Sequence, residues 1–277
     1  MLDRPRKTHS RIQERGLHCD LTQWPPLSEV PLERIDRTLP TLTAHQLSEA
    51  CRKPGCPVCR LEGQRIERYL DQHFYENVNS PAWRDRLRAS LGFCREHGWL
   101  AVDQRLGDPL GFSILYHDIV NSLLKQLSDG GTPARAPRRQ SSLPGQLPEP
   151  VRRFIAKIVA ALTPRKRCPA CEHRDEATRA ILSALVKELD TPELTNALQA
   201  SDGLCLPHLR LALEQIQDEA AGGKLLGMHR EKLEDLKAEL GEFIRKNDYR
   251  FSEEGFGSER DAWLRAVDMI AGSRKKT

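Results

Sequence analysis

Eight residues of this chain have the types and the spacing to hold metal: Cys56-Pro-Val-Cys59, Cys94-Arg-Glu-His97, Cys168-Pro-Ala-Cys171 and Cys205-Leu-Pro-His208. A two-residue spacer lets both members of a pair converge on one ion, and three thiolates with one imidazole form a donor set that zinc takes as a tetrahedron. Each CxxC is followed, after 34 or 33 residues, by a CxxH. Reading each such stretch as one site predicts two zinc ions per chain. One is expected on Cys56, Cys59, Cys94 and His97, the other on Cys168, Cys171, Cys205 and His208. With four protein ligands no coordination position is left for water, so the zinc is expected to be structural, and no catalytic residue is assigned.

Other uses of these cysteines fit less well. The closely spaced cysteine runs of iron–sulfur proteins are missing, so a cluster is the weaker reading. Covalent c-type haem would need His directly after a CxxC, where Arg60 and Glu172 stand. A redox dithiol belongs in a βαβ setting, which the hydrophobic pattern lacks. Cations nearby stabilise thiolates, and Arg52, Lys53, Arg60 and Arg95 flank the first set as Arg165, Lys166 and Arg167 flank the second. Cys19 beside His18, and Cys51, have no counterpart and stay unassigned. His73 falls on an apolar stripe and reads as a core residue; His173 reads as a surface histidine.

The elements around the ligands come in two sets. In the first, Ile66, Tyr69, Leu70, His73 and Phe74 recur with helical period after the CxxC; in the second, Ile181, Leu182, Leu185, Val186 and Leu189 do. Ser80-Pro81 and Thr191-Pro192 then look like an N-cap followed by proline at the first helical position. Gly92 and Gly203 precede the third ligand by two residues, where they allow backbone conformations that a side chain would obstruct. Phe112 to Leu127 marks a closing helix of the first set and Leu226 to Ile244 that of the second. Short helices at 44–52 and around Phe154, Ile158 and Leu162 lead into the two CxxC pairs. A last helix is expected from Ser258, with Trp263, Ala266, Val267 and Ile270 as its apolar stripe.

The resulting expectation is an all-α protein of two tandem helical repeats, each stapled by its own Cys3His site. The divisions are a basic, poorly ordered arm at 1–38, a first unit at 39–127, a Pro/Gly-rich linker at 128–150 and a second unit at 151–277. One difficulty attends it. A helix over residues 60–77 is about 27 Å long, whereas the returning segment 81–91 covers only about 16 Å. The first helix must therefore break, or cross at an angle, for Cys94 to reach Cys56.

Composition limits the function. The 277 residues are 30% charged with a net charge of +4, a balance of soluble helical proteins. No apolar run approaches the ~20 residues of a membrane span, and Phe154 to Leu162 is interrupted by Lys157. The start, Met-Leu-Asp-Arg-Pro-Arg-Lys, leads into no apolar signal segment, so a cytoplasmic location with reduced thiols is expected. Residues 130–167 carry a net charge of +8, which could neutralise phosphates. The block lacks the aromatics that stack on single strands, so a solvated tether is favoured over nucleic-acid binding. The leading function is a non-enzymatic interaction or regulatory module with a protein partner.

With its CPxC and G[FL]CxxH pairs, Glu242-Phe-Ile-Arg-Lys-Asn-Asp-Tyr-Arg-Phe251 and Glu259-Arg-Asp-Ala-Trp263, the chain resembles an uncharacterised bacterial domain-of-unknown-function family over residues 40–272. The resemblance implies metal binding and leaves the activity open.

Overall fold

The computed structural model describes residues 44–129, 149–251 and 253–273. These hold eleven α-helices and no strand: α1 (Ala44–Cys51), α2 (Pro57–Tyr75), α3 (Pro81–Ser90), α4 (Arg95–Asp103), α5 (Pro109–Asp129), α6 (Glu149–Leu162), α7 (Pro169–Glu188), α8 (Pro192–Ala200), α9 (Leu206–Leu213), α10 (Glu219–Lys246) and α11 (Ala262–Ala271). The arm at 1–38, Cys19 included, and residues 130–148 of the expected linker lie outside the described residues. The linker's ends are helical, since Ser128 and Asp129 complete α5 while Glu149 and Pro150 open α6. No helix among the described residues is long and apolar enough to cross a membrane.

Five of these helices begin on a proline, Pro109 opening α5. Pro57, Pro81, Pro169 and Pro192 sit in the first turn, where a missing N–H costs nothing. Ser80 caps α3 by accepting from Trp83 N at 3.4 Å. Thr191 does not cap α8 in this way; its hydroxyl donates instead to Glu188 O at 2.7 Å. After α3 the chain turns through Leu91 and Gly92, both at positive φ, and Gly203 makes the matching turn at φ +81.

The helical stripes bury as their period requires. Ile66, Leu70 and Phe74 of α2 are buried, as are Ile181, Leu182 and Leu185 of α7. The core does not divide into two. α2 lies along α7 as the most extensive helix pairing, and α1 packs on α8, so both contacts join the first half of the sequence to the second. Cys168 and Ala170 share a core cluster with Ile66, Leu70, Trp83 and Leu115. The chain just before Cys168 is pinned to α3 as well, with Arg165 N and Lys166 N both donating to Ala89 O at 2.8 and 3.0 Å. The expectation of two separately stapled cores is corrected by this interlocking.

Two further expectations change. The apolar stripe of the last helix faces outward: Trp263, Val267 and Ile270 of α11 are 52, 57 and 55% exposed, while Ala262 and Met269 pack inward. On α10 the inward residues are Leu225, Met228, His229 and Leu236, whereas Leu226 and Ile244 are exposed.

Candidate metal centres

All eight predicted ligands come together, but in exchanged partnership. Cys56 and Cys59 meet Cys205 and His208, while Cys168 and Cys171 meet Cys94 and His97. Each group joins the CxxC of one half to the CxxH of the other, so the within-half ligand sets expected from the sequence are corrected. Helix length explains why. α2 runs unbroken for 19 residues, and α3 returns for only 10, about 28 Å against 15 Å. Cys94 is therefore left far from Cys56, beside the start of α7.

In the first group, the Cys59 and Cys205 Sγ atoms are 3.7 Å apart, and His208 Nδ1 lies 3.5, 3.3 and 3.2 Å from the sulfurs of Cys56, Cys59 and Cys205. In the second, Cys94 and Cys171 are 3.6 Å apart, and His97 Nδ1 lies 3.2, 3.4 and 3.8 Å from Cys94, Cys171 and Cys168. Four donors at about 2.3 Å (S) and 2.0–2.1 Å (N) from one tetrahedral ion stand about 3.8 Å (S to S) and 3.6 Å (S to N) from one another. Both groups therefore have the dimensions of a single ion's coordination sphere.

Local structure builds this geometry. Cys56, Cys94, Cys168 and Cys205 are each the residue preceding a helix, none using its side chain as a cap, which leaves the sulfur free to turn toward the centre. The second member of each pair, three residues on, lies in the first helical turn on the same side. The turn into Cys56 is tied to the other half, since Gly55 N donates to Asp202 Oδ2 at 2.6 Å and Cys56 N to Ser273 Oγ at 2.9 Å. Gly272 passes over the first group at φ +99, where a Cβ would lie 3.6 Å from Cys59 Sγ and 3.8 Å from Cys205 Sγ.

Electrostatics also favour a cation at each centre. Burial opposes ionisation of Cys56, yet hydrogen bonds with Cys205, Cys59 and His208 outweigh it and hold this thiol well below the usual range. Hydrogen bonds with Cys171 and Cys94 likewise hold Cys168 down to about 3, against burial. Their neighbours Cys59 and Cys171 are pushed far up, first by sharing those hydrogens and then by burial and the adjacent negative charge. Packed thiols thus oppose ionisation of Cys59 and Cys171 while favouring that of their neighbours; a divalent ion would let all three of each group ionise.

The surroundings of the groups differ. His208 Nε2 is 3.2 Å from Glu62 Oε2, and Thr178 Oγ1 donates to that same oxygen at 2.6 Å. Glu62 follows Cys59 by three residues. Arg174 follows Cys171 by three, is buried, and sends Nη1 to Glu96 Oε2 at 3.3 Å. Sequence reasoning passed over both positions, although their opposite charges at matching places were a readable signal.

The chain matches the model of a family of unknown function, DUF6062, over residues 41–277. It belongs to that family. It is also 25% identical over 238 residues to an "Uncharacterized 23.9 kDa protein in xynA 3'region" of Caldicellulosiruptor sp. (strain Rt8B.4), covering 82% of this chain and 99% of the relative. No solved structure matches. The C-terminal stretch that carried the family resemblance serves as a clasp: Lys246 Nζ pairs with the buried Glu259 at 2.7 Å, and the Arg245 guanidinium lies 4.5 Å from the Phe251 ring centroid.

The remaining candidates are not part of either group. His73 is half-buried, its Nδ1 2.8 Å from Tyr69 O, consistent with a satisfied core residue. His173 is half-buried rather than on the surface: its ring stacks on Tyr69 at 4.2 Å between centroids, and burial drives its pKa down to about 4. Cys51 is a buried thiol at the end of α1, pushed up to about 11 by burial.

Proposed function

We propose that this chain is a zinc protein without catalysis of its own, in which two structural ions lock two tandem helical units into one cytoplasmic interaction or regulatory module. The observation that carries this reading is the pair of closed four-donor groups, each drawn from both halves. Thiolate and imidazole donors suit zinc, and four protein ligands leave no open position at which a substrate could bind. Single-ion dimensions also argue against an iron–sulfur cluster, whose ligands sit on separate irons.

Support for a protein partner comes from the surface. On α11, Trp263, Leu264, Val267 and Ile270 are all about half exposed or more, the kind of apolar patch that marks an interaction site. The described part of the basic segment 130–167 is helix α6 and the turn pinned to α3, and there Arg152 and Arg153 pair with Glu149 and Arg167 pairs with Asp175, which leaves less charge for phosphates. Elemental analysis of protein purified without added metal tests the proposal. Two zinc ions per chain are expected; iron with visible cluster absorption would contradict it.

A further inference from the structure

The two candidate centres share a donor set but differ in the residue three positions after the CxxC, Glu62 in one and Arg174 in the other. At the first, the Glu62 carboxylate receives His208 Nε2 at 3.2 Å and is itself held by Thr178 at 2.6 Å. A carboxylate on the far nitrogen of a metal-bound histidine fixes its tautomer and orientation and raises its basicity, and outer contacts of this kind are worth 10–100-fold in metal affinity. Here the tautomer follows directly, since Nδ1 faces the sulfurs and Nε2–H must donate to Glu62.

At the second centre the corresponding position is Arg174. Its guanidinium engages Glu96 at 3.3 Å and lies within Coulombic reach of Cys171. An arginine there can only donate, so the carboxylate contact that steadies His208 has no counterpart at this position. Access differs in the same sense. Only Cys59 is partly exposed in the first group, beneath Gly272, whereas both Cys94 and Cys171 are partly exposed in the second.

We propose that the two centres are unequal: Glu62 makes the Cys56, Cys59, Cys205 and His208 centre a permanent one, and the Cys94, His97, Cys168 and Cys171 centre is the one that exchanges its zinc. Glu62 acts as a positioning residue through His208 and does not itself bind the ion. This inference rests on the reading that both groups hold zinc.

The test is zinc release from the full-length, two-zinc protein under an excess of a chromophoric chelator. Two equal phases are expected, with the slow one absent in Cys205→Ser and the fast one absent in Cys94→Ser. Glu62→Gln should speed the slow phase by about 10–100-fold and leave the fast one unchanged. In the wild-type zinc protein, nitrogen-15 NMR should find His208 protonated at Nε2 in a slowly exchanging hydrogen bond, a readout that needs no variant. A single release phase, a slow phase indifferent to Glu62→Gln, or a His208 with no protonated Nε2 would overturn the inference while leaving two zinc ions in place. A wild-type protein that holds no zinc would fail the underlying reading itself.

Discussion

Cys59 Sγ lies 3.7 Å from Cys205 Sγ, although 146 residues separate them. The reciprocal contact, Cys94 to Cys171 at 3.6 Å, spans 77. Each candidate centre thus bridges the two halves of the sequence, and its loss must act on both.

Cys94→Ser tests this. In hydrogen exchange, protection should fall both around α3 and α4 and at the start of α7, because the ligands of that centre come from both places. Damage confined to residues 44–129 would instead indicate separate cores. Losing even about 3 kcal/mol of metal-linked folding energy would lower Tm by roughly 6–12 °C in a chain of this size.

The helices and the eight candidate ligands were legible in the sequence because both depend on local spacing. Which CxxC meets which CxxH was not, because that depends on α2 lying along α7, a contact no local pattern encodes. The mismatch between a long α2 and a short α3 was the available clue. It pointed to an exchanged partner rather than to a broken helix. The stripe on α11 was read with the right period and the wrong direction: amphipathicity defines an apolar face, and Trp263 with Val267 shows that such a face need not be covered. His173 escaped for a related reason, since its stacking on Tyr69 depends on the approach of two helices.

Buried His229 should make stability depend on pH. Its Nε2 accepts from Leu204 N at 2.7 Å and its Nδ1 faces Leu225 O at 2.9 Å, so the folded state needs the neutral ring. Burial is the largest cause of its lowered pKa. The unfolded chain therefore takes up this proton first. Stability is full above about pH 6.5, the ordinary histidine value, and declines as pH falls below it toward the folded pKa. Thermal melts of wild type and His229→Gln between pH 5 and 8 should differ in slope by at most about 1.4 kcal/mol per pH unit; parallel slopes would contradict the assignment.

Two glycine substitutions should have opposite signs. At Gly111 in α5 an added Cβ would lie 2.1 Å from the Phe74 carbonyl oxygen, so Gly111→Ala should force α5 off the end of α2 and destabilise the fold by about 1–3 kcal/mol. At Gly227 in α10 nothing lies within 4 Å, and Gly227→Ala should add up to about 1 kcal/mol from helix propensity. Urea melts of the two variants check both signs.

The most direct test of the central claim is the zinc content of two double variants, measured by elemental analysis beside the wild type, for which two per chain are expected. Crosswise ligand sets predict that Cys59→Ser/Cys205→Ser damages a single centre and retains about one zinc, whereas Cys59→Ser/Cys94→Ser damages both and retains almost none. The reverse result, almost none in the first variant and one in the second, would contradict the exchanged partnership and restore a separate site to each half.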